Sequence, residues 1–220
     1  MRLEDIVKGN IINSQISFDI YEKNIAIIGK NGKGKTTLLR ILSGNVLPDK
    51  GSVILDEKIF SFPLEWSQVT KYQRSIRNKT LYFENQNYLY SNFTCMQNVK
   101  YCMADGSFNK ELFWETLEEF EFDKRFLEKK VEELSLGTKQ KISLSLAFSS
   151  KRPIILLDEP TLGLDIDSKN VFLEFVKSNK NKRKIVISSN DNSVLDGFNT
   201  FLLCEDGEVR ESHVNPYGKS

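Results

Sequence analysis

Eight consecutive residues, Gly29-Lys30-Asn31-Gly32-Lys33-Gly34-Lys35-Thr36, fill the spacing G-x-x-x-x-G-K-[ST] in full. Glycine at those places lets a backbone wrap a phosphate with its N–H groups aimed inward. A helix beginning near Lys35 would add the positive end of its dipole. The chemistry this suits is the binding of a nucleoside triphosphate. Lys35 is expected to reach the β- and γ-phosphates, and the Thr36 hydroxyl to hold Mg²⁺. Gly29, Lys30, Asn31, Gly32, Lys33, Gly34, Lys35, Thr36 and Thr37 together form the expected ATP-binding segment.

Two further places carry reactive residue types. In IILLDEP, Asp158 ends a continuous apolar run, where ligands of open parallel sheets gather. A carboxylate there can hold Mg²⁺ through its water shell. Glu159 beside it is placed to orient or deprotonate an attacking water. In KIVISSNDN, the apolar run Ile185 to Ile187 gives way to Ser188-Ser189-Asn190-Asp191, and Asn192 reads as the cap of a following helix. Small polar side chains at the end of a buried strand suit an end that looks onto a ligand.

These residues need strands and helices to hold them. Ile16 to Ile20 alternates like a half-buried strand. Asn24 to Ile28 reads as a short buried strand, Thr36 to Leu42 as a helix closed by Gly44, and Gly51 to Leu55 as another strand. Ser61 to Lys79 is mixed and basic and reads as a surface excursion, with KYQRSIRNK as its solvated face. Thr80 to Phe83 returns to strand character. From about Ser91 to Ser149 the pattern is mostly helical, and the Phe-rich run Phe113 to Phe126 reads as its core. Ile154 to Leu157 and Ile185 to Ile187 read as strands separated by a helix around Phe172 and Phe175. Asp206-Gly207 marks a terminal hairpin. Strands alternating with helices at both ends, around a helical insert, argue an α/β core carrying a helical subdomain.

Composition narrows the classes. The chain has 220 residues, 40% hydrophobic and 28% charged, enough for one full core. A formal charge of +1 gives no reason to expect nucleic acid as a partner. Cys95, Cys102 and Cys204 are odd in number and widely spaced, which fits a reduced, cytosolic setting better than a disulfide framework or a zinc site. MRLEDIVKGN lacks a signal-peptide core, and no apolar run approaches the roughly 20 residues needed to span a bilayer. A membrane link is therefore expected to run through a partner.

Leu134-Ser135-Leu136-Gly137-Thr138-Lys139-Gln140 resembles the signature motif of the ATP-binding cassette (ABC) ATPases. Its place between the glycine loop and Asp158-Glu159 matches that family. TLGLD, Thr161 to Asp165, looks like the family's D-loop, and Gln86 falls where the Q-loop glutamine belongs. The resemblance covers nearly the whole chain. It implies a P-loop NTPase fold of ABC type: a mixed β core with an antiparallel β arm (residues 1–86 and 151–220) and an inserted helical signature subdomain (87–150). It implies a homodimer or heterodimer with each ATP held between one copy's phosphate loop and the other's signature. Ser135, Leu136, Gly137, Thr138 and Gln140 would then meet the partner's ATP. Asp165 would communicate across the dimer. Gln86 would sense Mg²⁺ and nucleotide, sharing the metal with Thr36 and Asp158. The implied setting is the inner face of the cell membrane, docked on a separate transmembrane permease.

The chain departs from the family pattern in three places. The aromatic ring that commonly stacks on adenine is missing, since Met1 to Ser17 holds no aromatic and Phe18 reads as core. Adenine is expected to rest on aliphatic carbons such as Ile11 or Ile12, with little base preference. Asn190 stands at the switch histidine, predicting retained ATP binding with slowed hydrolysis. The sole histidine, His213, lies beyond the terminal hairpin and reads as solvated. Leu136 replaces the commonest glycine, a feature of the drug-resistance and antibiotic-immunity exporters, and the stretch from Gln86 to Leu134 is short, which suits that branch. The reading is an ATPase subunit of an exporter. The alternatives are a weakly hydrolysing, nucleotide-gated module in a heterodimer, or a soluble ABC ATPase without transport.

Overall fold

The computed structural model describes residues 1–20, 24–84, 88–179 and 182–216, with backbone only at 13–16. Two sheets organise it. Strands β1 (Arg2–Lys8), β2 (Ile12–Asp19), β4 (Lys50–Leu55) and β5 (Lys58–Phe62) form an antiparallel sheet in the order β2-β1-β4-β5. The second sheet has six strands: β3 (Ile25–Ile28), β6 (Thr80–Phe83), β7 (Ile154–Asp158), β8 (Lys184–Ser188), β9 (Phe201–Glu205) and β10 (Glu208–Ser212). Its order is β10-β9-β3-β8-β7-β6, parallel except for the terminal β10.

The continuous apolar runs have a direct cause. Successive side chains of a strand point to opposite faces, and both faces of the six-stranded sheet are buried. Ile25, Ile27, Ile154, Leu156 and Val186 enter one hydrophobic cluster with helix α1 (Lys35–Leu42) and the antiparallel sheet. Ala26, Ile28, Ile155, Leu157 and Ile187 enter the other, with helices α3 (Cys95–Met103), α4 (Lys110–Glu119), α5 (Leu136–Ser149) and α6 (Ile166–Ser178). Of the run Phe113 to Phe126, Phe113, Phe120 and Phe122 lie buried in that second cluster and Phe126 is partly buried against it.

The basic stretch after β5 is not an irregular excursion. It forms helix α2 (Trp66–Arg77), started by a capping box of Glu65 and Gln68. Only Tyr72 and Ile76, one turn apart, are buried on it. Tyr72 packs edge-on against Phe60 and Phe62, each at 5.1 Å between ring centroids. Two apolar anchors in a basic segment make a faint periodic signal, and the aromatic face that receives Tyr72 comes from β5. A second correction concerns the helix after β8. Asp191, not Asn192, caps α7 (Asn192–Leu195), accepting from Ser193 N at 3.0 Å.

The terminal hairpin turns on Asp206 and Gly207, both at positive φ (46° and 84°), the twist that a two-residue loop requires. Gly44, at φ 72°, ends α1.

Candidate functional site

Strands β3, β7 and β8 lie side by side, so their C-terminal ends deliver the phosphate loop, Asp158-Glu159 and Ser188 to Asp191 to one edge of the sheet. Gly29 sits at φ 149° immediately after β3, where an added Cβ would lie 2.3 Å from the Cys204 carbonyl oxygen. No other residue fits that contact without backbone movement. Gly34, at φ 97°, is the left-handed residue that opens α1.

Lys35 is buried, and its Nζ donates to Gly29 O at 2.7 Å, so the ammonium is folded back over the loop. It lies 4.0 Å from Glu159 Oε1. Thr36 Oγ1 donates to Asp158 Oδ2 at 2.8 Å, and the other Asp158 oxygen accepts from Ser188 Oγ. Glu159 holds φ 47°, in the left-handed region that is strained for a residue with a side chain. Its N–H donates to Ser188 O (3.1 Å) and Ser188 Oγ (3.0 Å). Burial pushes the Glu159 carboxyl above the usual range; Lys35 opposes this, and Asp158 and Asp191 add to it.

Asn190 is exposed, and its Oδ1 accepts from Gly29 N at 3.3 Å. Its amide nitrogen is the group left to donate. Ser189 N donates to Ile27 O at 3.1 Å, and the next residue, Asp191, pairs with Lys169 at 2.6 Å. The strand end is therefore tied to β3, the loop and α6 at once. The polarity of its strand end marked Ser188 in the sequence as facing a ligand, though not its hydrogen bond to Asp158. Lys169 was missed: it lies on an ordinary charged helix face and gave no signal.

An open cleft over the loop is lined by Ile11, Asn31, Gly32, Gly34, Lys35, Thr36, Thr37, Asp158 and Glu159. Lys30 is exposed, and Lys33 is paired with Asp206 on the terminal hairpin at 2.5 Å. Ile12 is fully buried, whereas Ile11 is 47% exposed at the cleft mouth. Of the two aliphatic residues expected under a base, only Ile11 is placed for it. Among the described residues no group of three or more His, Cys, Asp or Glu could cage a metal. The Thr36 hydroxyl and Asp158 carboxylate do fit a Mg²⁺ that keeps waters and takes its other ligands from phosphate oxygens. Gln86 lies outside the described residues.

The signature segment sits apart from this cleft. Ser135 caps α5, accepting from Thr138 N at 3.2 Å, and its hydroxyl lies 2.7 Å from that of Thr138. Ser135, Leu136, Gly137 and Thr138 border an open depression with Gly163 and Asp165. Gln140 does not join them: it is buried, and its Nε2 donates inward to Pro160 O at 2.6 Å. Five residues beyond Ser135 on α5, it points into the protein, unlike the cap residues. Asp165 caps α6 through Ser168 N at 2.8 Å and lies 3.6 Å from Lys141. His213 is exposed, 3.6 Å from Glu211.

A family model described as "ABC transporter" matches residues 13–162. The chain belongs to the ABC transporter ATP-binding family. A second model, "AAA domain, putative AbiEii toxin, Type IV TA system", matches residues 130–196. The lipoprotein-releasing system ATP-binding protein LolD of Buchnera aphidicola is 28% identical over 206 residues, 90% of this chain and 88% of that protein. The ABC transporter ATP-binding protein NatA of Bacillus subtilis is 29% identical over 75% of this chain, which spans only 65% of NatA. A dimeric post-hydrolysis structure of the ATP-binding cassette MJ0796, bound to ADP and Pi, superposes with a TM-score of 0.79 at 25% identity, covering 98% of this chain and 99% of that one. The ABC cassette fold is thereby established for this α/β chain.

Proposed function

We propose that this chain binds Mg-ATP, closes on it as a dimer of ABC domains, and hydrolyses it to drive a separate transmembrane permease as an exporter. The observation that carries the reading is the convergence of Lys35, Thr36, Asp158 and Glu159 at the start of α1. Lys35 exchanges its bond to Gly29 O for the β- and γ-phosphates. Thr36 and Asp158, with Gln86, would hold Mg²⁺, which supplies charge neutralisation of the phosphate oxygens. Glu159 takes a proton from the attacking water. The Asn190 amide N–H donates to the γ-phosphate, but it cannot carry the charge of a histidine.

Ser135, Gly137 and the start of α5 offer donors for a phosphate held by the other copy, and only a dimer brings one there. The solved cassette MJ0796 is dimeric with ADP and Pi, which supports that arrangement. Among the described residues no helix is long and apolar enough to cross a membrane, so transport calls for a permease partner. A groove lined by Tyr88, Tyr90, Tyr101, Phe108, Arg77 and Arg152 is the surface we assign to it. The exporter direction rests on Leu136 and the short stretch from Gln86 to Leu134. The assigned place is the cytoplasmic face of the membrane.

Mg-ATP binding and steady-state hydrolysis test the reading. Glu159→Gln should lower turnover by about 10²–10⁴-fold while ATP still binds. Lys35→Ala should weaken binding itself. Wild-type protein that binds no Mg-ATP, or a Lys35→Ala variant that behaves as wild type, would refute it. The exposed, short Asn190 favours a second reading, a nucleotide-gated module with weak turnover in a heterodimer. A soluble role without transport is separated by whether a polytopic membrane protein co-purifies.

A further inference from the structure

The first two turns of α5 are strapped to the segment that follows Glu159. Gln140 donates to Pro160 O at 2.6 Å from a buried position. Lys141 lies 3.6 Å from Asp165 and also donates to Phe120 O at 2.9 Å. Leu136 covers Gly163 so closely that a methyl there would lie 2.7 Å from Leu136 Cγ. A methyl on Gly137 would lie 2.6 Å from the Gly163 carbonyl oxygen. The start of α5 thus meets the turn at Pro160, Gly163 and Asp165.

Pro160 is the immediate neighbour of Glu159, whose backbone is held at φ 47°. On one side the Glu159 N–H is fixed by Ser188. On the other the Pro160 carbonyl is fixed by Gln140. A strained conformation persists only where its surroundings over-determine it, and these two contacts do so from opposite sides. We infer that Gln140 is a positioning residue: it couples the signature end of α5 to the Glu159 backbone of the same chain, so that engagement of the partner's nucleotide at Ser135 and Gly137 aligns this chain's own Glu159. The inference rests on the proposed dimeric ATPase and deepens it, because it makes each signature act on two sites.

A residue that touches the partner's ATP and one that positions its own Glu159 behave differently once hydrolysis is already blocked. Gln140→Met removes the donor at similar length. In the Glu159 background it should lower kcat about tenfold or more with KM within about twofold. In the Glu159→Gln background, ATP-driven dimerisation read by light scattering should keep its ATP midpoint within about twofold. Gln140→Glu preserves shape, and a buried carboxyl donates to Pro160 O only when protonated. Its kcat relative to wild type should therefore rise as pH falls from about 8 to 6.

An unchanged kcat in Gln140→Met overturns the inference. So does a dimerisation midpoint that worsens in step with kcat, which would place Gln140 on the partner's nucleotide. Loss of thermal stability and Mg-ATP affinity in both variants would reduce it to a packing residue. Wild-type protein that neither dimerises nor hydrolyses takes down the proposed function, and this inference with it.

Discussion

Asn190 and Glu159 set the expected rate at the scale of single residues. A histidine at 190 would add a charge-assisted hydrogen bond to the γ-phosphate, worth roughly 1.5–3 kcal/mol. If that bond strengthens in the transition state, Asn190→His should raise kcat by about tenfold or more, and a variant no faster than wild type would refute the assignment. Glu159 works as a base only when ionised, and burial raises its pKa. Turnover should therefore fall with acidification sooner than an ordinary carboxylate would dictate. The same shift bears on stability. A carboxyl whose folded pKa is raised opposes folding above that pKa and stops doing so below its unfolded value. Glu159→Gln should raise Tm at pH 8, with a gain that shrinks as pH falls through the carboxylate range; a pH-independent gain would contradict this. At the cleft mouth, Ile11 offers dispersion but no hydrogen bonds to a base edge. ATP and GTP should bind within about threefold of each other, and Ile11→Tyr should tighten both, by roughly 0.5–1.5 kcal/mol. Competition binding with labelled ATP measures both effects.

Elements transmit what residues begin, and the joint between α5 and α6 is where the helical segment meets the sheet-backed core. Phe148 stacks on Phe175 with ring centroids 3.5 Å apart and planes within 4°. Phe148 is fully buried. Phe148→Ala should cost about 3–5 kcal/mol, read as a lower urea midpoint at unchanged m-value. A loss below about 1 kcal/mol would mean that the surrounding helices collapse into the space. The α2 helix shows the limit of periodicity as a guide. Tyr72 and Ile76 lie on one face, but between Lys71, Arg74 and Arg77 they are too few to announce it. Tyr72 packs on Phe60 and Phe62, which approach only because β5 pairs with β4, and Ile76 lies against Gly44 at the end of α1.

For the molecule as a whole, the signature depression and the phosphate cleft are separate surfaces of one chain. A single copy cannot use both on one nucleotide. Glu159→Gln protein should be monomeric without nucleotide and dimeric with ATP, and Lys35→Ala should abolish the response. Light scattering with and without ATP measures it. Dimers formed equally well without nucleotide would remove the γ-phosphate as the joint between copies.

The glycine loop, the doubly buried strands and the order of the motifs were legible in the residues themselves. Each is a local pattern: a spacing that wraps a phosphate, or an apolar run that only a strand covered on both faces explains. Asp158-Glu159 was legible for the same reason, standing at the end of such a run. What only the tertiary structure decided depends on which way a side chain turns after packing. Ile11 faces the cleft while Ile12 is buried, although the two are adjacent and chemically alike. Gln140 reads as part of the signature but turns toward Pro160, because its place on α5 faces the core rather than the exposed cap. Ser188 and Lys169 become partners of Asp158 and Asp191 only when β8 lies beside β7 and α6 packs against that strand end. Spacing along a chain determines which chemistry is available; burial and contact between distant segments determine which atoms are left to perform it.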